Sequence, residues 1–583
     1  MSPTFHVGQR LSYDGALCTV RYHGPLADLK GHWLGVEWDR PGRGKHDGTH
    51  QGERVFACLS KSAKVASFIR PSRTPDLTRK VLEGLEFKYG SGTAAGVYSG
   101  ADIVYISGKA VEEIGFDKVQ RQLGHFEALH IVLLDGLQVT GLTRQDASRE
   151  TRDAAAQEFA ATCPNIHELD LGWNLIEDWQ DIADICKYLA KLHILKASGL
   201  RLKSLSIDYA SAPGTFASIR ELELNDTLLT PDQVLQILAA DGTDGTDGTN
   251  GATAFPQLTT LSLSSNALDG FGTTDSSLVF PTITRLVLDN NHLTSLAALP
   301  AISSHFPSLA SLSLQGNRIA DLSIASPEPM AFPALTDLAL SSNCIPTFAA
   351  LSSLPVLCPN LISLRVSSNP FTATLPASAP FDTSYYLTLA RIPSLQMLNY
   401  TTITARDRTE GELYYLSVVE KAMRPILASQ TLSAAASYAS HHYSRYSELC
   451  AKYDRANILA GPPPASSLHA NAESSGNRPA GSVASRLFSL VYTSTELDPV
   501  GETTRKTDNS REEWARWIDG ILYRDGAKWK ERETEIIDGT RPWGDFLDGG
   551  EQSVRIRVEP KDEQWQGKRE QWRNAERTST DGA

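Results

Sequence analysis

Lys45 lies in a run of turn-forming residues, Gly42-Arg-Gly-Lys-His-Asp-Gly48, with Trp33 and Trp38 upstream and Phe56 downstream. A lysine brings a positive charge and three donors, and glycines beside it let a partner's backbone come close. Together these residue types suit an extended acidic peptide. Lys45 and neighbouring backbone N–H groups take a carboxylate, and the aromatic rings supply apolar contact. The run is not a phosphate cradle. A P-loop needs Gly-x-x-x-x-Gly-Lys followed by Ser or Thr; here His46 follows Lys45, Asp39 stands at the upstream glycine position, and no strand-to-long-helix context surrounds it.

Other reactive residue types are dispersed. No nucleophile and base are paired, so an enzyme is not expected. The seven cysteines, at 18, 58, 163, 186, 344, 358 and 450, are odd in number and form no C-x-x-C. That suits a reducing cytosol and gives no zinc site, and no metal or other cofactor is expected. His441 and His442 fall in a polar, Tyr-rich run and read as solvated. DGTDGTDGTNG at 241–251 lacks the final bidentate glutamate and flanking helices of a calcium loop, and reads as a low-complexity surface loop. A net charge of -13 argues against nucleic acid as a partner. No run of 18 apolar residues predicts a membrane span, and Met1–Arg10 lacks the order of a signal peptide.

The elements that must position Lys45 belong to a multidomain chain of 583 residues. Residues 1–75 carry short β-rich runs between glycines 31, 35, 42, 44, 48 and 52, which predicts a small β-barrel. Residues 95–405 repeat. L-x-L-x-x-N-x-[LI] recurs as LDLGWNLI, LSLSSNAL, LVLDNNHL, LSLQGNRI and LALSSNCI, with asparagines at 174, 266, 291, 317 and 343, and LRVSSNPF adds Asn369. The last four spacings are 25, 26, 26 and 26. Weaker units place Leu200 and Thr227 where Asn would stand, and the long interval from 227 to 266 contains the DGT run. Period and pattern are those of an α/β leucine-rich-repeat solenoid. Its alternating leucines point inward, its asparagines can satisfy turn backbone groups, and Asp170, Glu223, Ser262, Val287, Ser313, Ala339 and Arg365 face the concave side.

Residues 406–458 read as a helical cap with Leu413, Leu416 and Val419 on one face. Residues 459–485 read as a Pro/Gly/Ser-rich linker. Over 486–560 the pattern predicts strand (486–494), helix (511–525, with Trp514, Trp517, Ile518 and Ile521 at helical spacing) and strand (553–560). That order suits an α+β domain of the ubiquitin type, followed by a polar tail at 561–583.

Within residues 6–72 the series WLGVEW, GKHDG, VFAC and FIRP resembles the cytoskeleton-associated-protein glycine-rich (CAP-Gly) family, whose domain is SH3-like. The resemblance implies binding of the acidic Glu-Glu-Tyr or Glu-Glu-Phe ends of α-tubulin and of some plus-end proteins. By the same resemblance the α-tubulin tail-binding residues are Trp33, Gly44, Lys45, His46, Asp47, Gly48 and Phe56. Lys45 would pair with carboxylates, and Trp33 and Phe56 would flank the terminal aromatic, while Trp38 reads as core. His46 departs from the family's Asn, and the aromatic usual a few residues before the Trp is missing from PLADLK at 25–30.

The order of domains, with the closing segment LNYTTIT followed by YYL, is similar to the tubulin-folding cofactor E family. That implies a cytosolic, cytoskeleton-associated chaperone. It would hold α-tubulin by tail and body and work with cofactors B, C and D and a small GTPase on the αβ-tubulin dimer, the C-terminal end meeting cofactor B or the proteasome. The competing expectations are a microtubule-associated scaffold and a repeat adaptor linked to protein degradation.

Overall fold

In the computed structural model, residues 5–90 and 125–459 are described except 145, 209–213, 240–252, 272–277, 297–299, 323–331 and 376–381, together with the backbone of a few strands elsewhere. The DGT run, the expected linker and the polar tail lie outside the described residues.

The N-terminal β domain is an antiparallel sheet in the order β1-β2-β3-β6, formed by β1 (Arg10–Tyr13), β2 (Ala16–Leu26), β3 (Leu29–Trp38) and β6 (Ala66–Ile69), with a small hairpin of β4 (Thr49–His50) and β5 (Glu53–Arg54). Leu11, Tyr13, Cys18, Val20, Leu34, Val36, Trp38 and Ile69 form one buried cluster. Trp38 is core, as its place at the end of β3 suggests, and its indole N–H donates to Ser67 Oγ at 3.0 Å. Beneath the sheet, Arg10 is fully enclosed yet paired. Its guanidinium donates to Asp39 and to Thr19 Oγ1, and the pairing holds Asp39 below the usual carboxylate range despite burial. An uncompensated charge there would be costly.

β7 (Tyr105–Ile106) and β8 (Lys109–Ala110) form an isolated pair. The repeat region is one sheet of eleven strands running from β9 (Ile131–Leu133) to β19 (Thr401–Thr402). Its members between are β10 (Glu168–Asp170), β11 (Ile194–Lys196), β12 (Glu221–Glu223), β13 (Thr260–Ser262), β14 (Arg285–Val287), β15 (Ser311–Ser313), β16 (Asp337–Ala339), β17 (Ser363–Arg365) and β18 (Met397–Leu398). From β9 to β18 the pairing is parallel and in register. Leu169, Leu195, Leu222, Leu261, Leu286, Leu312, Leu338, Leu364 and Leu398 stand beside one another as a buried column. Each such leucine adds roughly 1.5–3 kcal/mol of burial. A single strand of three residues could not hold its place without its neighbours.

The asparagines stitch the column. Asn291 Nδ2 donates to the carbonyls of Leu263 (3.1 Å) and Leu288 (2.9 Å), while its Oδ1 accepts from the N–H of Asn266 and Leu268. Asn317, Asn343 and Asn369 repeat the arrangement one unit further along. Thr227 keeps part of it, donating to Leu224 O at 3.0 Å. At Leu200 the polar link is replaced by a buried side chain. Either side of the DGT run, Ala239 and Thr253 pair antiparallel, so the interval begins and ends at one place on the solenoid.

Both ends of the column are closed. Helix Val81–Tyr89 drops Val81 and Leu85 onto the first repeat. Helices Ala405–Ser429, Leu432–His442 and Tyr446–Lys452 cover the other end, with Tyr415, Leu416, Val419, Met423, Tyr446 and Leu449 in the shared core. The β domain packs directly on the early repeats. The buried Glu177 carboxylate accepts from Arg10 N–H at 2.9 Å and meets His6 Nε2 at 3.3 Å, and the Lys203 stem lies against Gly8.

Residues 463–583 form a separate unit. Its backbone holds the pair β20 (Thr495–Leu497) and β21 (Thr503–Arg505), and a sheet in the order β23-β22-β24 from β22 (Trp514–Asp525), β23 (Lys528–Ile536) and β24 (Ser553–Pro560). The helix expected at 511–525 is therefore corrected to a strand. Helical spacing of two Trp and two Ile was outweighed by strand propensity: the stretch is rich in aromatic and β-branched residues, carries Gly520 in its middle, and ends in Asp525-Gly526, a hairpin signal. The correction removes the central element of the expected ubiquitin-like domain, and the strand expected at 486–494 lies outside the described residues.

Candidate functional site

The loop Gly44–Gly48, a few residues beyond β3, runs along the chain at 64–66. Gly44 N–H donates to Lys64 O, Lys45 N–H donates to Ala66 O at 2.7 Å, and the His46 carbonyl accepts from Ala66 N–H at 2.8 Å. The spacing of the loop follows from this close approach. A Cβ at Gly44 would stand 2.3 Å from Ala66 N, and one at Gly48, whose φ is +99°, would stand 2.2 Å from Phe56 O. Neither position admits a side chain. Gly48 O in turn accepts from the N–H groups of Val55 and Phe56. So Gly44, Lys45, His46, Asp47, Gly48 and Phe56 are brought together by backbone alone.

Within that frame each side chain has a distinct state. Lys45 is exposed and, among the described residues, pairs with no carboxylate. Asp47 is tied down, accepting from Thr49 Oγ1 at 2.8 Å and Arg54 Nη2 at 2.9 Å, contacts that hold its carboxyl below the ordinary range. It is a positioning residue that braces the loop.

His46 Nδ1 accepts the Gly48 N–H at 3.0 Å, which places the proton of the neutral ring on Nε2. That Nε2 is buried and has no partner among the described residues. The ring stacks on Phe68 at 4.6 Å, and burial, helped by nearby His50 and opposed by Asp47, lowers its pKa.

Phe56 is buried against Val65 and Ala66, with Tyr22, Val55, Cys58 and Phe68 around it. Its ring lies over Gly35, where a Cβ would come within 2.3 Å of Phe56 Cε1. Trp33 stands two residues before Gly35 on β3, hence on the same face of the sheet. The two rings expected to flank a terminal aromatic thus share one face. Trp33 is half-buried, its indole N–H buried without a partner among the described residues, and the Arg70 guanidinium lies 3.7 Å above its ring.

Four neighbours went unread in the sequence: Tyr22, His50, Phe68 and Arg70. Phe68 and Arg70 sit in FIRP, so that motif carried the signal. His50 shows edge-on to Phe68 at 5.7 Å, and Tyr22 supplies from β2 an aromatic beside Phe56 where positions 25–30 have none. Among the described residues no group of three His, Cys, Asp or Glu could hold a metal, and no helix is long and apolar enough to cross a membrane.

The CAP-Gly domain model matches residues 7–74. Among curated proteins the chain is similar to tubulin-specific chaperone E of Bos taurus, 34% identical over 260 residues, which is 45% of this chain and 44% of that one. It is 33% identical over 233 residues to the Homo sapiens protein of the same name, covering 40% of this chain and 41% of that one. Tubulin-folding cofactor E of Arabidopsis thaliana is 32% identical over 241 residues, with 40% and 41% covered. Each match spans less than half of the relative's length.

Proposed function

We propose that this chain is a tubulin-folding chaperone that grips α-tubulin through the acidic C-terminal tail, in the cleft of Trp33, Gly44, Lys45, His46, Asp47, Gly48 and Phe56, and acts on assembly or dissociation of the αβ-tubulin dimer. The observation that carries this reading is Lys45. It is an exposed ammonium with no carboxylate partner among the described residues, held on a loop that two side-chain-free glycines press against the sheet. A cation so presented beside aromatic rings favours an extended peptide with negative charge and a bulky end.

The names of the curated relatives support tubulin as the partner. In this reading the protein works in the cytoplasm at the cytoskeleton, together with cofactors B, C and D. The contact with the proteasome expected from a ubiquitin-like end loses its support with the strand at 514–525.

The β domain that takes the tail packs on the early repeats. Through Glu177 the tail cleft and the concave ladder hold a defined orientation, so a tail in the cleft delivers the partner's body at a fixed place. The test is titration of a Glu-Glu-Tyr-ended peptide onto the full chain and onto Lys45→Glu. Tight capture by the wild type, lost in the variant, supports the reading; equal binding by both ends it.

A further inference from the structure

At the far end of the ladder β18 and β19 pair antiparallel, with Leu398 opposite Thr401, so Asn399 and Tyr400 are the two central residues of a two-residue turn. Both have positive φ, 48° and 68°. Turns of this hand take Asn readily at the first position and Gly at the second, because a Cβ is disfavoured there. Asn399 has a structural task, since its Oδ1 accepts the Val366 N–H at 2.8 Å and ties the turn to the repeat before it. Tyr400 has no such task. It is 74% exposed, and its phenol oxygen accepts from Arg365 Nη1 at 2.7 Å while the guanidinium stands 5.2 Å from its ring centre.

Two other large apolar side chains are exposed on the same two chain segments. Met397, at the start of β18, is 38% exposed, and Ile362, whose carbonyl accepts the Met397 N–H, is 39% exposed. On the strands β13, β15 and β16 the corresponding face is small or polar, with Thr260 and Ser262, Ser311 and Ser313, Asp337 and Ala339, while β14 between them carries Arg285 and Val287. Arg365 pairs with no carboxylate among the described residues. An exposed Tyr held in a disfavoured backbone state, an Arg stacked on it and an exposed Met on the adjoining strand are residue types enriched in protein contacts, and exposed Ile362 on the neighbouring segment adds apolar surface.

We propose that Ile362, Arg365, Met397 and Tyr400 form the docking patch for the folded body of the partner whose acidic tail the β domain takes, Arg365 meeting a carboxylate at the rim of an apolar contact on that body. The proposal rests on the tail reading and adds the second point of grip at the opposite end of the same ladder. The occupant's charge follows from a guanidinium that no carboxylate meets among the described residues: an acidic surface on the partner complements it, whereas a basic one would not.

The experiment uses the full chain and αβ-tubulin dimer whose C-terminal tails have been removed by protease. Tyr400→Gly installs the residue that the turn favours, so its melting temperature should equal or exceed that of the wild type and misfolding is not at issue. The expected result is a loss of about tenfold or more in affinity for tail-less dimer in Tyr400→Gly and in Arg365→Ala, with Glu-Glu-Tyr peptide binding unchanged. If both variants bind tail-less dimer within about twofold of wild type (a difference below ~0.4 kcal/mol), the patch is not the docking site, and peptide capture by the same variants leaves the tail reading intact. A wild-type chain that takes neither peptide nor intact dimer ends the tail reading and this inference with it.

Discussion

The Lys45 cleft and the asparagine column of one compact unit treat polar groups in opposite ways. In the ladder the column of buried asparagines is spent on its own repeats. Asn291 makes four close hydrogen bonds to its own and neighbouring repeats, and Asn317, Asn343 and Asn369 follow suit. In the cleft the loop backbone pairs with the chain at 64–66 and with Val55 and Phe56, yet the side chain of Lys45, His46 Nε2, His50 Nε2 and Trp33 Nε1 have no partner among the described residues. Polar groups left unpaired in a folded protein are costly unless something comes to meet them. The ladder is built for itself and the cleft for a visitor.

The sharpest way to break this contrast is to fill the space the cleft keeps clear. Gly48→Ala puts a Cβ 2.2 Å from Phe56 O at a φ of +99°. The loop must move, so peptide binding should vanish and the β domain should lose about 3 kcal/mol or more, through strain and overpacking together. Calorimetry with a Glu-Glu-Tyr peptide and a thermal melt read both. Retained affinity would mean that the loop is not the site. Next, Asn291→Ala leaves the Leu263 carbonyl and the N–H groups of Asn266 and Leu268 buried without partners, while Leu288 O keeps the Asn317 amide. It should cost the solenoid about 2–4 kcal/mol, seen in urea unfolding, while peptide affinity stays within twofold. If the two substitutions had the same effect on binding, the division between ladder and cleft would be false.

What could be read from residues alone divides along the same line. The ladder was legible because each repeat states its own geometry, and a period of 26 is visible without knowing the fold. Its first strand, Ile131–Leu133, was not legible, since no asparagine marks it. The cleft was legible in its loop, where glycines and Lys45 are contiguous, and not in Tyr22, His50 and Phe68, which reach it from other strands and turns. Glu177 was invisible for the same reason: it meets Arg10 from 167 residues away. At 511–525 local spacing suggested a helix, and pairing with β23 and β24 made it a strand, a case of tertiary context over periodicity.

A smaller effect separates charge from architecture. Lys45 is exposed and supports no other residue, so Lys45→Glu should leave the melting temperature within about 1 °C of wild type. It should weaken a Glu-Glu-Tyr peptide by roughly 30-fold or more, because a charge-assisted contact becomes a repulsion worth about 2 kcal/mol or above. Raising the salt concentration should narrow the gap. A variant that bound normally would show that the ammonium takes no part, and an unstable one would show that the loop depends on it.

Outside the asparagine column the repeat region also holds buried polar atoms without a partner among the described residues, and one of them gives the mildest test. Asp181, in helix Trp179–Cys186, has a buried Oδ2 without a partner among the described residues. Burial, reinforced by Asp178, Asp184 and Glu177 and opposed by Arg152, pushes its pKa up to about 7. An unfolded Asp titrates near 4. The sign follows. Below about pH 4 both states hold the proton and nothing is lost; as pH rises the unfolded chain ionises freely while the folded one resists, so stability falls until pH passes about 7 and then levels off. Asp181→Asn carries no such charge. It should be more stable than wild type at pH 8, on the order of 1–2 kcal/mol after allowing for partial exposure, with the difference closing near pH 4. Peptide binding should not change at any pH where His46 stays neutral, because the cleft's titrating group is elsewhere. A gain that persisted unchanged at low pH would place its cause in packing, and Asp181 would then be as well accommodated as the asparagines around it.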